Sequence, residues 1–341
     1  MPHTPRLTAL ANWSAARHGL TAGSIDLQLA AGDASFRRYY RLRLPDGTTR
    51  MLMDAPPTQE DSTPFLRIAE QWRDAGLPVP SVHAADLEQG FLELDDLGDA
   101  PLNAQLSDTG QDTAYEAAEA LLDALQNQAP LDGLPAYDAA LLGRELDLFP
   151  DWCLARVVDL APPPQWPAWR QRLIEMALAQ PRVAVHRDFD AMNLMCHRER
   201  LYVIDFQDAV AGPLSYDLIS LLRGRYRRFD LDDFGRRCEA FRQRALGDGR
   251  LPRDEGAEAF RRQVDAMAAQ RCLKVLGIFC RLTLRDGKAG YLARLPHFVA
   301  HLEDSLAPHA EFAILADWLQ GQFEPALTRA LQARGVEVAY R

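Results

Sequence analysis

The stretch His186-Arg-Asp-Phe-Asp-Ala-Met-Asn193 and the shorter stretch Ile204-Asp-Phe206 determine how this sequence is interpreted. Each follows a short apolar run that is rich in β-branched residues and bounded by charge, which is typical of a short buried strand. Polar side chains that come directly after a buried strand are brought to a cleft rather than to a solvated face. We therefore expect Asp188, Asn193 and Asp205 to be functional side chains.

The spacing of the first stretch matches H-R-D-x-x-x-x-N, the pattern of kinase catalytic loops, and an Asp-Phe pair after a short hairpin extends the match. Phosphoryl transfer needs a carboxylate to orient or deprotonate the acceptor hydroxyl, and metal ligands that hold the phosphates in line. Asp188 suits the first role, and Asn193 and Asp205 suit the second. The alternative is a surface or capping role for the two aspartates and a turn cap for the asparagine.

The two stretches, extended to His186–Met195 and Val203–Leu222, resemble the aminoglycoside phosphotransferase and choline kinase-like family of small-molecule kinases. The pattern of that family, H-x-D-x-x-x-x-N, then I-D-[FW], then G-P-x-x-x-D-L, is matched in order. The resemblance implies an α+β fold of the bilobal protein-kinase-like type. It implies a small antiparallel-sheet lobe over residues 1–97 that binds the nucleotide, and a larger, mostly helical lobe over residues 98–341 that carries catalysis and the acceptor.

By position, the resemblance implies ATP and Mg²⁺ as cofactors, Asp188 as the catalytic base, and Asn193 and Asp205 as the metal ligands. Asp217 is similar to the buried aspartate that braces the catalytic loop from a helix start, although a helix cap also explains its position. His186 fits a structural hydrogen bond in the loop better than the role of general base.

Hydropathy periodicity agrees with a sheet followed by helices. The first hundred residues alternate short β-like runs with turn signals and contain one helix near the N-terminus and another that starts near Ser62. The predicted strands are 24–30, 36–44, 49–55, 82–86 and 91–94, of which the first three form an antiparallel meander. Short strands are also predicted at 183–185 and 201–204. The predicted helices beyond residue 100 are 111–128, 138–158, 166–180, 216–223, 231–247 and 256–285.

Two segments of the N-terminal half are assigned to the nucleotide. The loop from Gly32 to Ser35 resembles the family's nucleotide-positioning loop, in which backbone N–H groups and a small hydroxyl approach phosphate oxygens, although an ordinary hairpin turn has the same composition. Segment 91–99, which includes Glu93 and Asp95, resembles the hinge whose backbone meets adenine. We expect its side chains to face solvent.

The cation that binds the phosphates is missing from its usual place. No lysine precedes Lys274, and Met53 and Asp54 stand where relatives usually carry one. An arginine can bind phosphate through two parallel hydrogen bonds, or the metal carries most of the charge. Glu70 is the candidate carboxylate partner, with a solvated helix face as the alternative. The candidate arginines are Arg37, Arg38 and Arg50.

Within the family, five segments resemble bacterial kinases of cell-wall recycling that phosphorylate the C1 hydroxyl of free N-acetylmuramate or N-acetylglucosamine: 32–41, 52–57, 94–99, 144–152 and 186–195. The residues assigned to this acceptor sugar are Asp190, Glu145 and Trp152. Helix packing is the alternative for the last two. Another acceptor, such as an aminoglycoside, a choline-like amine or an amino acid, remains open, as does a nucleotide-binding pseudokinase, which the missing lysine motivates.

The amino-acid composition limits which classes of binding partner and which cellular compartment are expected. The 341 residues carry a formal net charge of −10, so there is no basic surplus for nucleic acid. The five cysteines form no CxxC pair and are expected to be reduced thiols. No signal peptide and no apolar run of about 18 residues is found. We expect a cytoplasmic protein with a small amino sugar as its partner, without nucleic acid or membrane, and the oligomeric state stays open.

Overall fold

A five-stranded antiparallel sheet forms the centre of the first of two units in the computed structural model, which describes residues 5–32, 36–106 and 111–338. The strand order is β1-β2-β3-β5-β4, so the predicted meander is present and the further strand pair joins it through β5. Gly47 turns the chain between β2 and β3 at φ +85°, where a side chain would be strained. The strands are β1 (Leu27–Gly32), β2 (Arg38–Arg43), β3 (Thr49–Asp54), β4 (Val82–Asp86) and β5 (Phe91–Asp95).

The two faces of this sheet have different neighbours because side chains alternate along each strand. Helix α1 (Pro5–His18) covers one face, where Leu10 packs with a cluster from the strands: Tyr40, Leu42, Leu52 and Phe91. The other face presents Tyr39, Met51 and Leu94 to a cavity. Helix α2 (Thr63–Asp74) adds Phe65 to the same cavity.

A second hairpin belongs to the first unit although it lies far along the chain. It consists of β7 (Leu194–His197) and β8 (Arg200–Val203), of which only β8 is predicted from the sequence. The Cys196 amide donates to the Ala100 carbonyl at 2.8 Å, and the Val203 amide donates to the Pro78 carbonyl at 2.8 Å. The first unit comprises residues 1–114, 128–130 and 192–208. The lobe boundary after residue 97 stays a prediction.

The second unit is mostly helical and contains one small sheet of β6 (Arg182–Val185) and β9 (Val210–Pro213). Strand β9 is not predicted, because Gly212 and Pro213 are poor strand formers. A side chain at Gly212 would meet the Tyr137 Cβ at 2.8 Å, so the glycine permits a close approach. The helices from α3 onwards are α3 (Gln111–Gln128), α4 (Ala139–Leu148), α5 (Trp166–Leu178), α6 (Tyr216–Leu222), α7 (Leu231–Asp248), α8 (Ala257–Leu284), α9 (Leu295–Leu306), α10 (Ala313–Trp318) and α11 (Glu324–Ala333).

The predicted helix 138–158 is divided in two. It consists of α4 and a π-helical segment, Phe149–Val158, which begins next to Pro150. Proline has no N–H for the usual hydrogen bond four residues back, and π-turns occur where the regular ladder is interrupted. Helix α8 is buried along most of its length, and its buried residues include charged ones, Arg271 and Lys274. None of the helices in the described ranges has the length and apolar character of a membrane-spanning segment.

Candidate active site

The backbone of the catalytic-loop stretch is held by Asp217, which lies in the first turn of α6. Its carboxylate accepts hydrogen bonds from the His186 amide at 2.6 Å and the Arg187 amide at 3.0 Å. Arg187 has φ +77°, an unfavourable conformation for a residue with a side chain. Burial raises the pKa of Asp217 to about 6, although the two amides and His186 oppose the rise. Asp217 therefore holds a strained turn in place, the bracing role that the resemblance implies.

Asp188 follows this turn with its side chain exposed to solvent. Its amide donates to the Nδ1 atom of His186 at 3.3 Å, which is a structural hydrogen bond for that imidazole. Desolvation by the surrounding protein would on its own raise the pKa of the Asp188 carboxyl. The positive charges nearby outweigh desolvation and lower this pKa below its usual value; in decreasing order of effect they are Lys274, Arg271, His186 and Arg187. The carboxylate is therefore ionised at neutral pH and can accept a hydroxyl proton or a hydrogen bond.

Glu145 is buried beside this loop rather than open to solvent. Burial on its own raises the pKa of its carboxyl, but Lys274 and then Arg187 outweigh burial and lower it. Lys274 also donates to the Tyr216 hydroxyl at 2.7 Å. The acceptor contact predicted for Glu145 stays a prediction, and the observed contacts tie α4 and α8 to the loop. Its carboxylate contacts the Tyr137 hydroxyl, Arg187 Nη2 at 2.6 Å, Lys274 Nζ at 3.0 Å and Gln270 Nε2 at 3.4 Å.

The other two residues assigned to the acceptor are each contacted by an arginine. Asp190 is buried, and one of its oxygens lies 2.9 Å from Arg225 Nε and 2.8 Å from Arg225 Nη2. Trp152 is half-buried in the π-helical segment, and the guanidinium carbon of Arg156 lies 4.6 Å from the centre of its ring. Their contact with an acceptor stays a prediction.

A cavity of about 480 Å³ lies within the first unit. A volume of this size suits a drug-sized ligand. The apolar part of its lining suits a flat heterocycle, whereas its polar part includes Asn193 and Asp205, two of the predicted functional residues. The lining consists of Ala30, Tyr39, Met51, Phe65, Pro80, Leu94, Asp95, Leu97, Gly98, Asp99, Pro101, Met192, Asn193, Met195, Ile204 and Asp205.

Asp205 is positioned by its neighbour Phe206, which is completely buried. The Phe206 ring stacks on Phe65 with centroids 4.9 Å apart and lies 5.5 Å from Trp72. Asp205 itself has φ +63°, and its Oδ1 atom accepts a hydrogen bond from Gln207 Nε2 at 2.9 Å. The aromatic anchor thus holds a carboxylate in a conformation that such a residue rarely adopts alone.

The donor set at this edge of the cavity fits Mg²⁺. The ion prefers oxygen ligands and is usually bound by one or two protein groups together with water and substrate phosphates. Asn193 and Asp205 supply an amide oxygen and carboxylate oxygens, and the Ile204 amide donates to the Asn193 carbonyl at 3.0 Å, which links the two segments. In the described ranges, no cluster of three or more His, Cys, Asp or Glu residues could hold a metal by itself.

Segment 91–99, the predicted hinge, has several side chains buried where the sequence predicted exposure to solvent. Phe91, Leu92, Glu93 and Leu94 are buried, so the expectation that they face solvent is wrong. They are central in the sheet, between β3 and β4. Both Glu93 carboxylate oxygens lie 3.1 Å from the Nε2 atom of His18, on the face that α1 covers and away from the cavity lining.

Asp95 does line the cavity. Its carboxylate accepts hydrogen bonds from the Ser81 amide at 2.9 Å and from His83 Nε2 at 2.7 Å. Burial alone raises the pKa of this carboxyl, but the hydrogen bonds from Ser81 and His83 lower it overall. Asp95 is therefore an ionised acceptor at the edge of the cavity, and its contact with a nucleotide stays a prediction.

Two of the three candidate arginines lie on the wrong face for the cavity. Arg38 is exposed and pairs in register with Asp54 on the face that α1 covers. Arg50 shares that face, where its Nε lies 3.6 Å from Glu93 Oε1. Gly32 ends β1 opposite Arg38, and Ser35 lies outside the described residues.

Arg37 takes a different position. Its guanidinium lies 3.3 Å from Glu60 Oε2 and 3.5 Å from Asp205 Oδ1. Glu70, the predicted partner of the cation, is exposed on α2, in agreement with the alternative of a solvated helix face. Met53 is fully buried, on the cavity side of β3.

Sequence reasoning missed Glu60 and Lys274. Glu60 lies in a polar loop before α2, where no spacing marks it. Lys274 is one of only two lysines in the chain, and this rarity is a signal that could have been followed. Its position within a buried helix is a second signal, because lysines are almost never fully buried unless they are paired.

Comparison of the sequence with known proteins identifies a matching family and similar relatives. Residues 26–271 match the phosphotransferase enzyme family. The N-acetylmuramate/N-acetylglucosamine kinase of Pseudomonas aeruginosa is 40% identical over 294 residues, which cover 85% of this chain and 86% of that protein. The protein of the same name from Pseudomonas putida is 41% identical over 302 residues and 87% of each chain.

A solved structure shows the same fold. The ethanolamine kinase of Plasmodium vivax superposes with a TM-score of 0.62 over 83% of each chain, at 11% identity. This similarity confirms the predicted α+β, kinase-like fold class. The family match covers both the sheet with its cavity and the catalytic loop with its bracing aspartate. The chain therefore belongs to the phosphotransferase enzyme family.

Proposed function

We propose that this protein is an ATP-dependent kinase that transfers a phosphoryl group to the C1 hydroxyl of N-acetylmuramate or N-acetylglucosamine, as a step of cell-wall recycling. The observation that carries the proposal is the state of Asp188: an exposed, ionised carboxylate on a turn that Asp217 holds by two backbone hydrogen bonds. The names of the two Pseudomonas relatives support the choice of acceptor.

The cavity of the first unit would take the nucleotide. Met51, Leu94 and Ile204 offer apolar contacts for a purine, and Asn193 and Asp205 offer oxygen ligands at the polar end. These two residues would hold Mg²⁺, which, when bound, neutralises phosphate charge and aligns the phosphoryl group. The side chains of the chain itself do the rest by positioning, since phosphoryl transfer requires little covalent help from the protein.

Asp188 would act on the acceptor. The anomeric hydroxyl of a reducing sugar is more acidic than an ordinary sugar alcohol, so a carboxylate of low basicity can still guide its proton. The lowered pKa of Asp188 keeps that carboxylate ready to accept the proton at neutral pH.

We also place the protein in the cytoplasm. All five cysteines are free, and four of them are buried: Cys153, Cys238, Cys272 and Cys280. Free thiols are typical of a reducing compartment, where cell-wall sugars would be recovered after uptake.

The test is a comparison of acceptors with Mg·ATP. N-acetylmuramate, N-acetylglucosamine, the methyl glycoside of N-acetylglucosamine and its 6-deoxy analogue would be assayed for ADP release, and the products examined by NMR for phosphorus–carbon coupling. We expect turnover of the two free sugars and of the 6-deoxy analogue, with coupling to C1, and none of the glycoside. Turnover of the glycoside, or coupling to C6, would contradict the assignment, and exclusive activity on choline or an aminoglycoside would replace the acceptor class.

A further inference from the structure

Arg37 lies between two carboxylates, of which one, Asp205, lines the cavity. Its side chain is only 10% exposed, and its guanidinium lies between Glu60 and Asp205, at 3.3 Å and 3.5 Å. The Asp205 side chain is 33% exposed and lines the cavity, so Arg37 stands directly beside the candidate metal ligand. A largely buried guanidinium between two carboxylates can break its ion pair with one of them and bind another anion while the second carboxylate holds it.

Arg41, another arginine near the cavity, is bound to carboxylates outside the candidate metal site. The residues that line it, as far as the structure describes them, include the acids Asp95, Asp99 and Asp205 but no lysine or arginine. Arg41 is bound by Asp96 and Asp99 at 2.7–3.0 Å. A triphosphate brings about four negative charges and is best bound by a guanidinium, whose planar fork matches its oxygens.

Glu60 contacts Arg37 through a different guanidinium nitrogen than Asp205 does. One of its carboxylate oxygens pairs with the guanidinium, and the other lies 3.3 Å from the Phe36 amide, which donates to it. The side chain of Glu60 is 16% exposed, so this contact is partly shielded from solvent. Glu60 therefore fixes both the backbone before Arg37 and the guanidinium itself, and it is a positioning residue rather than a ligand of the nucleotide.

We propose that Arg37 is the phosphate-binding cation of this kinase and that it exchanges partners: it neutralises Asp205 until that carboxylate binds the metal, and then binds the phosphates while Glu60 holds it in place. The proposal rests on the proposed function, because it presumes that Mg·ATP binds in the cavity. It explains how a site without the usual lysine keeps a cation next to the phosphates.

The first test is nucleotide affinity measured by calorimetry. Arg37→Gln is expected to weaken Mg·ATP binding by about tenfold or more, since a charge-assisted pair is lost, and to leave adenosine binding unchanged. Arg43→Gln is the matched control, because Arg43 is exposed at the far end of β2. Arg38→Gln and Arg50→Gln should also leave the affinity for Mg·ATP close to that of the wild type.

The second test addresses the exchange of partners. In EDTA, Asp205→Asn is expected to bind metal-free ATP at least as tightly as the wild type, because Arg37 no longer has to leave a carboxylate. The same variant should bind Mg·ATP more weakly, because a metal ligand is lost. Adding Arg37→Gln to Asp205→Asn should abolish the metal-free binding. Glu60→Gln should weaken Mg·ATP binding less than Arg37→Gln does, because it only loosens the guanidinium.

The outcomes separate this proposal from the function on which it rests. A wild-type protein that fails to bind Mg·ATP would overturn both. Wild-type affinity in Arg37→Gln, or a loss seen in Arg38→Gln or Arg50→Gln instead, would overturn the assignment of Arg37 while the kinase function stands. Weaker metal-free binding by Asp205→Asn would overturn the exchange. Unchanged adenosine binding shows that each variant is folded.

Discussion

The Nζ atom of Lys274 lies 3.0 Å from the Glu145 carboxylate, and both side chains are almost completely buried. Because Glu145 also binds Arg187 at 2.6 Å, this ion pair connects α8 and α4 to the loop that carries Asp188. A buried ion pair contributes little net stability compared with well-packed apolar residues, but loss of one partner leaves an uncompensated charge. The pair is therefore better understood as a positioning device for the loop than as a source of stability.

Lys274→Met is expected to lower the free energy of unfolding by about 1–3 kcal/mol, because the buried Glu145 carboxylate would lose one of its two cationic partners and keep only Arg187. The double variant Lys274→Met/Glu145→Gln should recover part of this loss, since the buried carboxylate that has lost Lys274 is replaced by a neutral amide. Urea unfolding of the wild type, both single variants and the double variant would measure the coupling. Lys288→Met serves as the matched control, and additive effects of the two single variants would contradict the pairing.

Asp188→Asn is expected to retain Mg·ATP binding and to lose turnover by orders of magnitude. The amide keeps the shape of the side chain but cannot accept the hydroxyl proton in the transition state. Calorimetry with Mg·ATP and steady-state kinetics with N-acetylglucosamine would separate the two effects. If turnover persisted near the wild-type rate, Asp188 would not be the base.

The pH dependence of turnover should report the charges around Asp188. Lys274 and Arg271 lower the pKa of Asp188, so the carboxylate stays ionised as the pH falls below the range of an ordinary aspartate. Loss of Lys274 raises that pKa, so the acid limb of kcat/KM in Lys274→Met should move to higher pH than in the wild type. Both proteins would be compared at saturating Mg·ATP, so that titration of the nucleotide cancels. An acid limb at the same pH in both would show that Lys274 does not act on Asp188.

The sequence predicted the parts of the site that depend on short spacing. Asp188, Asn193 and Asp205 follow from one catalytic-loop motif and one Asp-Phe pair, and the predicted strands β4 and β8 and helices α3 and α6 follow from local periodicity. Local patterns predict these strands and helices well because each lies within one continuous segment, and the roles of the three site residues stay predictions.

The sequence could not predict contacts made between distant segments. Arg37 and Glu60 lie 23 positions apart, and Glu145 meets Lys274 from another helix, so no local pattern marks either pair. The burial of Glu93 was mispredicted for a related reason: its acidic neighbours suggest exposure to solvent, but Arg17 and His18 of α1 contact its carboxylate from a distant segment. Charge in a sequence predicts exposure only when no partner is supplied from elsewhere.

The sheet of the first unit separates the charged residues on the face that α1 covers from those on the cavity side. On the side of α1, Asp54 pairs with Arg6, and Glu93 pairs with Arg17 and contacts the His18 imidazole. On the cavity side, the carboxylate of Asp205 lies 3.5 Å from Arg37. In our proposal this arginine leaves Asp205 when the nucleotide binds. Asp54 therefore faces Arg6 of α1 instead of the cavity. The N-terminal helix thus allows an acid to stand where relatives usually carry a lysine without adding negative charge to the cavity.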